Sequence, residues 1–151
     1  MTLLAPAGEG AHRLQPGQSA RGGQPDPDSA VLPSYPSEWI ARELGEVWVD
    51  ARVVVDDEGI AASPELLVAT TGCKDDCATA FVEATRRALR SWRFEPLEII
   101  GWIDGPDADG DGEPDTVQRG VLQRLPYTRR LRFAFSIKDG QPEVGVSSAQ
   151  P

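Results

Sequence analysis

Six carboxylates lie between Asp104 and Asp115, and no cation separates them. Five of the six occupy alternate positions: Asp107, Asp109, Asp111, Glu113 and Asp115. In a calcium loop, oxygen ligands at alternate positions point towards the ion, and a glycine, here Gly112, allows the sharp turn. The spacing of these acids therefore predicts a calcium site.

The twelfth position of this loop holds Gln118, where an EF-hand has a glutamate that binds calcium with both oxygens. Neither flank of the loop shows a helical pattern, so an EF-hand pair is excluded. Two alternatives remain open. Either a freestanding loop binds calcium weakly and relieves the repulsion among its carboxylates, or the loop is a solvated acidic segment without a metal.

The chain has two cysteines, Cys73 and Cys77, and their spacing predicts a small disulfide ring. The ring would precede the main helix, where Asp75 and Asp76 would also favour the helix dipole. A CxxC redox motif needs one residue fewer between the cysteines, and a zinc site needs four ligands. An even, local pair of cysteines is typical of an oxidising compartment.

No catalytic constellation can be assembled from the sequence. The single histidine, His12, is remote from every serine of the predicted folded part, and no GxSxG, GxGxxG or phosphate-binding loop occurs. The net charge of -9 argues against nucleic acid as a partner, since a phosphate-binding surface needs clustered cations. We therefore expect a binding domain and not an enzyme.

The composition of the chain predicts three regions. Residues 1–31 are rich in proline and glycine and read as a flexible linker, and residues 139–151 read as a disordered tail. Residues 32–138 form the predicted domain, which carries the acidic loop as an insertion at about 101–120. The chain has no run of eighteen apolar residues, so the sequence predicts no membrane-spanning helix.

The predicted domain is α+β, with an antiparallel sheet of about three strands and two helices packed on one face. Valines alternate in residues 46–55, and Phe81 to Trp92 recur at helical spacing until Pro96 ends that helix. The remaining predicted elements are a short helix at 37–44, a strand at 60–70 whose proline implies an edge position or a bulge, and strands at 97–103 and 128–137.

Several of these segments match one family in order and spacing. They are Tyr35-Pro36 before the short helix, Gly45-Glu46-Val47 at the first strand, Asp57-Glu58-Gly59 at the turn, and Trp92-Arg93-Phe94-Glu95-Pro96 after the main helix. Together they resemble the C-terminal domain of TonB. The resemblance extends over about residues 32–137, and the segment from Trp92 to Pro96 is its most specific part.

The resemblance implies a periplasmic domain of an energy transducer, which couples the inner-membrane proton motive force to outer-membrane transporters. In this family a peptide of the transporter, the TonB box, pairs with the exposed last strand of the sheet, here residues 129–137. Such pairing takes affinity from main-chain hydrogen bonds and specificity from alternate side chains. The implied partner-binding residues are Tyr35, Pro36, Arg130, Arg132, Phe133 and Phe135.

Simpler alternatives stand beside these roles. Arg130 and Arg132 could be solvated charges that protect a strand edge from aggregation, and Tyr35-Pro36 could be only a helix start. Trp92 and Phe94 are expected to be core residues.

The family pattern also includes a membrane anchor, which would contact inner-membrane motor proteins, and a long spacer, neither of which these residues contain. Two interpretations follow. The chain is either a piece of an anchored transducer, or a stand-alone periplasmic or surface interaction domain with a calcium-stabilised acidic loop.

Overall fold

The computed structural model describes residues 14–104, 110–112 and 116–148. Within them the chain is α+β, as predicted, with two antiparallel sheets. The strands are β1 (Gln18–Gly22), β2 (Val47–Val55), β3 (Glu65–Val68), β4 (Leu97–Asp104), β5 (Thr116–Leu125), β6 (Tyr127–Lys138) and β7 (Gln141–Ser148), and the helix is α1 (Asp76–Leu89).

The four-stranded sheet has the order β3-β2-β6-β7. The alternation predicted for β2 is confirmed, because its five odd-numbered residues from Val47 to Val55 are buried while Trp48 lies on the opposite face. β6 pairs with β2 along nine residues, with Val47 opposite Phe135 and Val55 opposite Tyr127. The buried faces of these two strands form the floor of the core.

Helix α1 covers this floor. Phe81, Thr85 and Leu89 recur at intervals of four residues and are all buried, so one stripe of the helix faces the sheet. The Phe81 ring packs edge-on against Phe135, with 5.0 Å between ring centroids. The helix ends at Leu89, earlier than Pro96 alone would require, and Trp92 packs onto the core from the segment that follows.

The second predicted helix is a 3-10 helix, Ser37–Arg42, and none of its residues is buried. Trp39 and Ile40 of this segment are partly buried and pack against the core, and the packing of two helices on one face stays a prediction. None of the helices that the structure describes combines the length and the apolar character needed to cross a bilayer.

The three-stranded sheet has the order β1-β4-β5, and it corrects two predictions. Residues 1–31 are not linker throughout, since β1 pairs with β4 from Gln18 opposite Gly101 to Gly22 opposite Leu97. The N-terminal segment then continues along the core, where the Glu95 amide donates to the Gln24 carbonyl at 2.8 Å. The predicted insertion at 101–120 contributes residues to β4 and β5, so much of it belongs to a hairpin.

The C-terminal segment gives the third correction, because residues 141–148 of the predicted tail form β7. Asp139 and Gly140 form the two-residue turn of a tight hairpin, and both have positive φ, 52° and 77°. β7 then pairs with β6 from Gln141 opposite Lys138 to Ser148 opposite Leu131. As a result β6 lies inside the sheet, between β2 and β7.

Candidate protein-binding edge

The exposed last strand that the sequence predicted at 129–137 is not exposed, because β7 occupies that edge of β6. The open edge is displaced by one strand, and β7 now forms it. Among the described residues, no strand pairs with the outer side of β7. The candidate site is therefore the outer side of β7, which we call the β7 edge.

The hairpin geometry identifies which backbone groups the β7 edge presents. Lys138 and Gln141 flank the two-residue turn, so they form a hydrogen-bonded pair, and such pairs alternate with non-bonded ones along the ladder. The backbone groups that point away from β6 then belong to Pro142, Val144, Val146 and Ser148. Pro142 lacks an amide hydrogen, and its place on the outer side costs the ladder no hydrogen bond.

The side chains along β7 differ between its two faces. Val144 and Val146 lie opposite Phe135 and Phe133, on the face that carries the core. Val144 packs against the core, and Val146 is 40% exposed. Glu143 lies on the other face and forms a salt bridge of 3.5 Å with Lys138. A peptide added here would meet aliphatic side chains on one face and polar ones on the other.

The other sheet edges are shorter or irregular. β3 and β1 have four and five residues. β5 has ten residues, but its register with β4 shifts at two places, and Gly120 has a φ of 116°. Such irregularities protect an edge from pairing with another chain. β7 pairs with β6 without a register shift over eight residues, so it is the longest regular edge that the structure describes.

The four predicted partner-binding residues of β6 lie on two different faces of the sheet. Phe133 and Phe135 are completely buried, so their side chains cannot contact a partner. Arg132 lies on the outer face, where it forms two hydrogen bonds with Asp50 and stacks over the Trp48 ring at 4.5 Å. Arg130 is exposed, and no ion-pair partner for it occurs among the described residues. Of these four residues, Arg130 is exposed without an ion pair in the described part of the chain, whereas Arg132 is partly exposed and already paired with Asp50.

Tyr35 and Pro36 lie at the start of the 3-10 helix, as expected. Tyr35 is 92% buried, and its ring packs edge-on against Phe81 at 5.2 Å and Phe135 at 6.1 Å. Its hydroxyl is buried and has no hydrogen-bond partner among the described residues. Burial raises the pKa of this hydroxyl. Tyr35 therefore supports β6 from within the core, and a direct role in partner binding stays a prediction.

Most of the predicted calcium loop, including Asp107, Asp109, Glu113 and Asp115, lies outside the described residues. Asp111 is described and exposed, and it lies between Gly110 and Gly112, both with positive φ. No group of three potential metal ligands occurs among the residues that the structure describes. Calcium binding stays a prediction.

The sulfur atoms of Cys73 and Cys77 are at the bonding distance of a disulfide, 2.07 Å. The disulfide itself is as predicted, but the ring overlaps the first turn of α1 and does not wholly precede it, because Cys77 is the second residue of the helix. Both cysteines are buried and belong to the core. The ring therefore attaches the beginning of α1 to the core.

Comparisons with known proteins add no further information about identity. The chain matches no family model, no curated protein and no solved structure.

Proposed function

We propose that this chain is a protein-binding domain that accepts an extended segment of its partner as an additional strand along the β7 edge. The observation that carries this proposal is the long, regular outer side of β7, on which three residues, Val144, Val146 and Ser148, present outward backbone amides. Main-chain pairing of this kind needs little from side chains. It is therefore compatible with an edge whose side chains are small.

We further propose that the domain is related to the TonB C-terminal domain, and that its partner is the TonB box of an outer-membrane transporter in the periplasm. The support is the set of sequence segments from Tyr35 to Pro96, together with a sheet in which β6 follows β3 and β2 beneath a single main helix. In this proposal the transporter peptide pairs with β7, one strand beyond the position that the sequence indicated.

A pair of variants at one position tests the pairing. Val146→Pro removes an outward amide that makes no bond within the sheet, so the domain should remain folded while the peptide loses a donor. Val146→Ala keeps that amide and is the matched control. A fluorescently labelled TonB-box peptide should bind the native chain and the alanine variant, and it should bind the proline variant about fivefold more weakly, since one main-chain hydrogen bond of about 1 kcal/mol is lost.

The result separates the general proposal from the specific one. Binding that is equal for both variants would contradict pairing along β7. Should no TonB-box peptide bind at millimolar concentration, the TonB assignment would fail. Pairing along β7 with another partner would then be tested by hydrogen exchange at the outward amides of Val144 and Val146.

A further inference from the structure

A second surface lies on the opposite side of the domain from the outer face of the sheet. A groove of about 590 Å³ separates the loop 59–64 from the end of α1 and the segment that follows it. Its volume is within the range of sites that bind small ligands or single side chains. We call it the arginine groove. Its walls are residues 59–64 of the loop on one side and, on the other, residues 92–94 with Arg86, Leu89 and Arg90.

The floor of the arginine groove is apolar. Leu89, Trp92 and Phe94 are almost fully buried and present only small parts of their surface to it. On the loop side, Ile60 is 61% exposed, which is unusual for a large aliphatic residue beside other apolar groups. An apolar side chain placed between Ile60 and this floor would remove the exposed aliphatic surface from water.

The rim of the groove is cationic. Three of the twelve lining residues are arginines and none is acidic. Arg86 forms an ion pair with Glu83, and Arg93 forms one with Asp26 at 3.3 Å while its side chain remains 72% exposed. Arg90 is exposed and has no ion-pair partner within the described part of the chain. The acids that flank the loop are Glu58 and Glu65, and neither lines the groove; Glu65 forms a salt bridge of 2.7 Å with Arg52.

This cationic rim contrasts with the chain as a whole, which has a net charge of -9. The cluster of arginines on the rim is therefore a local feature of an otherwise acidic protein. Guanidinium groups beside an apolar floor favour a ligand that combines carboxylates with an aliphatic or aromatic side chain.

We infer that the arginine groove binds an acidic segment of a partner protein, with one apolar side chain on the floor and carboxylates on either side near Arg90 and Arg93. This site is independent of the β7 edge and does not rest on the function proposed for that edge.

The probe for this inference is the peptide acetyl-Glu-Leu-Glu-Leu-Glu-amide, titrated into the full chain and followed by NMR. Saturable shifts are expected at the Ile60 methyl and the Ala61 amide, with a dissociation constant on the order of a millimolar. The corresponding lysine peptide should give none of these shifts. Raising the salt concentration should weaken binding of the acidic peptide, because the rim charges are exposed.

Two charge reversals on one helical region provide matched variants. Arg90→Glu should weaken binding of the acidic peptide about fivefold or more, since it reverses a charge on the rim. Arg87→Glu is the control, because Arg87 is also exposed but lines a different groove, against residues 31–38. Absence of saturable shifts, shifts confined to β7, or equal weakening by both reversals would each overturn the inference.

Discussion

The guanidinium of Arg132 donates two hydrogen bonds to the carboxylate of Asp50, at 2.7 Å from Nε to Oδ1 and at 2.9 Å from Nη2 to Oδ2. The two residues are direct neighbours across β2 and β6. The hydrogen bond to Asp50 raises the pKa of Arg132. This arginine therefore stabilises the pairing of the two central strands, and its guanidinium already has a carboxylate partner within the domain.

The first prediction concerns this pair. Arg132→Ala and Asp50→Ala should each lower the urea concentration at the midpoint of unfolding, and the double variant should lower it by less than the sum. Arg132→Lys should recover only part of the loss, since an ammonium cannot make the two parallel bonds. Additive effects of the two alanine substitutions would contradict a direct interaction.

The second prediction concerns the disulfide between Cys73 and Cys77. The bond closes a ring of five residues, and the loop-entropy relation gives about 2 kcal/mol for a ring of that size. The double variant Cys73→Ala and Cys77→Ala should therefore lower the free energy of unfolding by about that amount. Addition of a thiol reductant to the native protein should have a similar effect and should leave the double variant unchanged.

The third prediction concerns pH. Glu98 on β4 accepts hydrogen bonds from Arg21 of β1 at 2.9 Å and from Arg124 of β5 at 3.0 Å. These bonds lower the pKa of Glu98, that from Arg21 contributing most. A lowered pKa in the folded state means that the stabilisation is complete above the pKa of the unfolded chain. It is then lost as the pH falls through the folded value.

The free energy of unfolding, measured from neutral pH down to about pH 2, should therefore fall less steeply for Glu98→Gln than for the native chain. In the native chain the loss should begin near the pKa of an unperturbed glutamate, about 4.3. The glutamine variant should also be less stable at neutral pH. Parallel curves for the two proteins would show that this carboxylate does not connect the three strands.

The fourth prediction concerns the turn before β7. Gly140 has a φ of 77°, and a Cβ atom added there would meet no atom within 4 Å. Gly140→Ala should therefore cost about 1 kcal/mol through backbone conformation alone. Gly145→Ala is the control, because its Cβ would also meet nothing and its φ is not positive, so it should have little effect. Equal effects would show that the turn does not determine the position of β7.

The sequence predicted the elements whose patterns are local. The valines of β2, the buried stripe of α1 and the alternation of β6 each specify one face, and the structure places these faces together. The alternation of β6 also argued against two of the predicted partner-binding residues, Phe133 and Phe135. Because Phe133 and Phe135 lie on the buried face of β6 together with Leu131, their side chains could not also be contacts for a partner.

The missed strands depend on their neighbours. β1 has the sequence Gln-Ser-Ala-Arg-Gly, without apolar alternation, and its strand conformation depends on pairing with β4. β7 contains Pro142 and Gly145, both unfavourable in strands, which made it resemble a tail. One local signal was present. Asp139-Gly140 is a strong hairpin sequence, and it follows directly after the alternating strand β6.

Hydrogen exchange of the β7 amides tests the central claim most directly. In the free protein the amides of Glu143, Gly145 and Ser147 should be protected, while those of Val144 and Val146 should exchange rapidly because they point away from β6. A bound partner peptide should slow exchange at Val144 and Val146. Protection of these two amides in the free protein, or no change when the peptide binds, would contradict the β7 edge as the docking site.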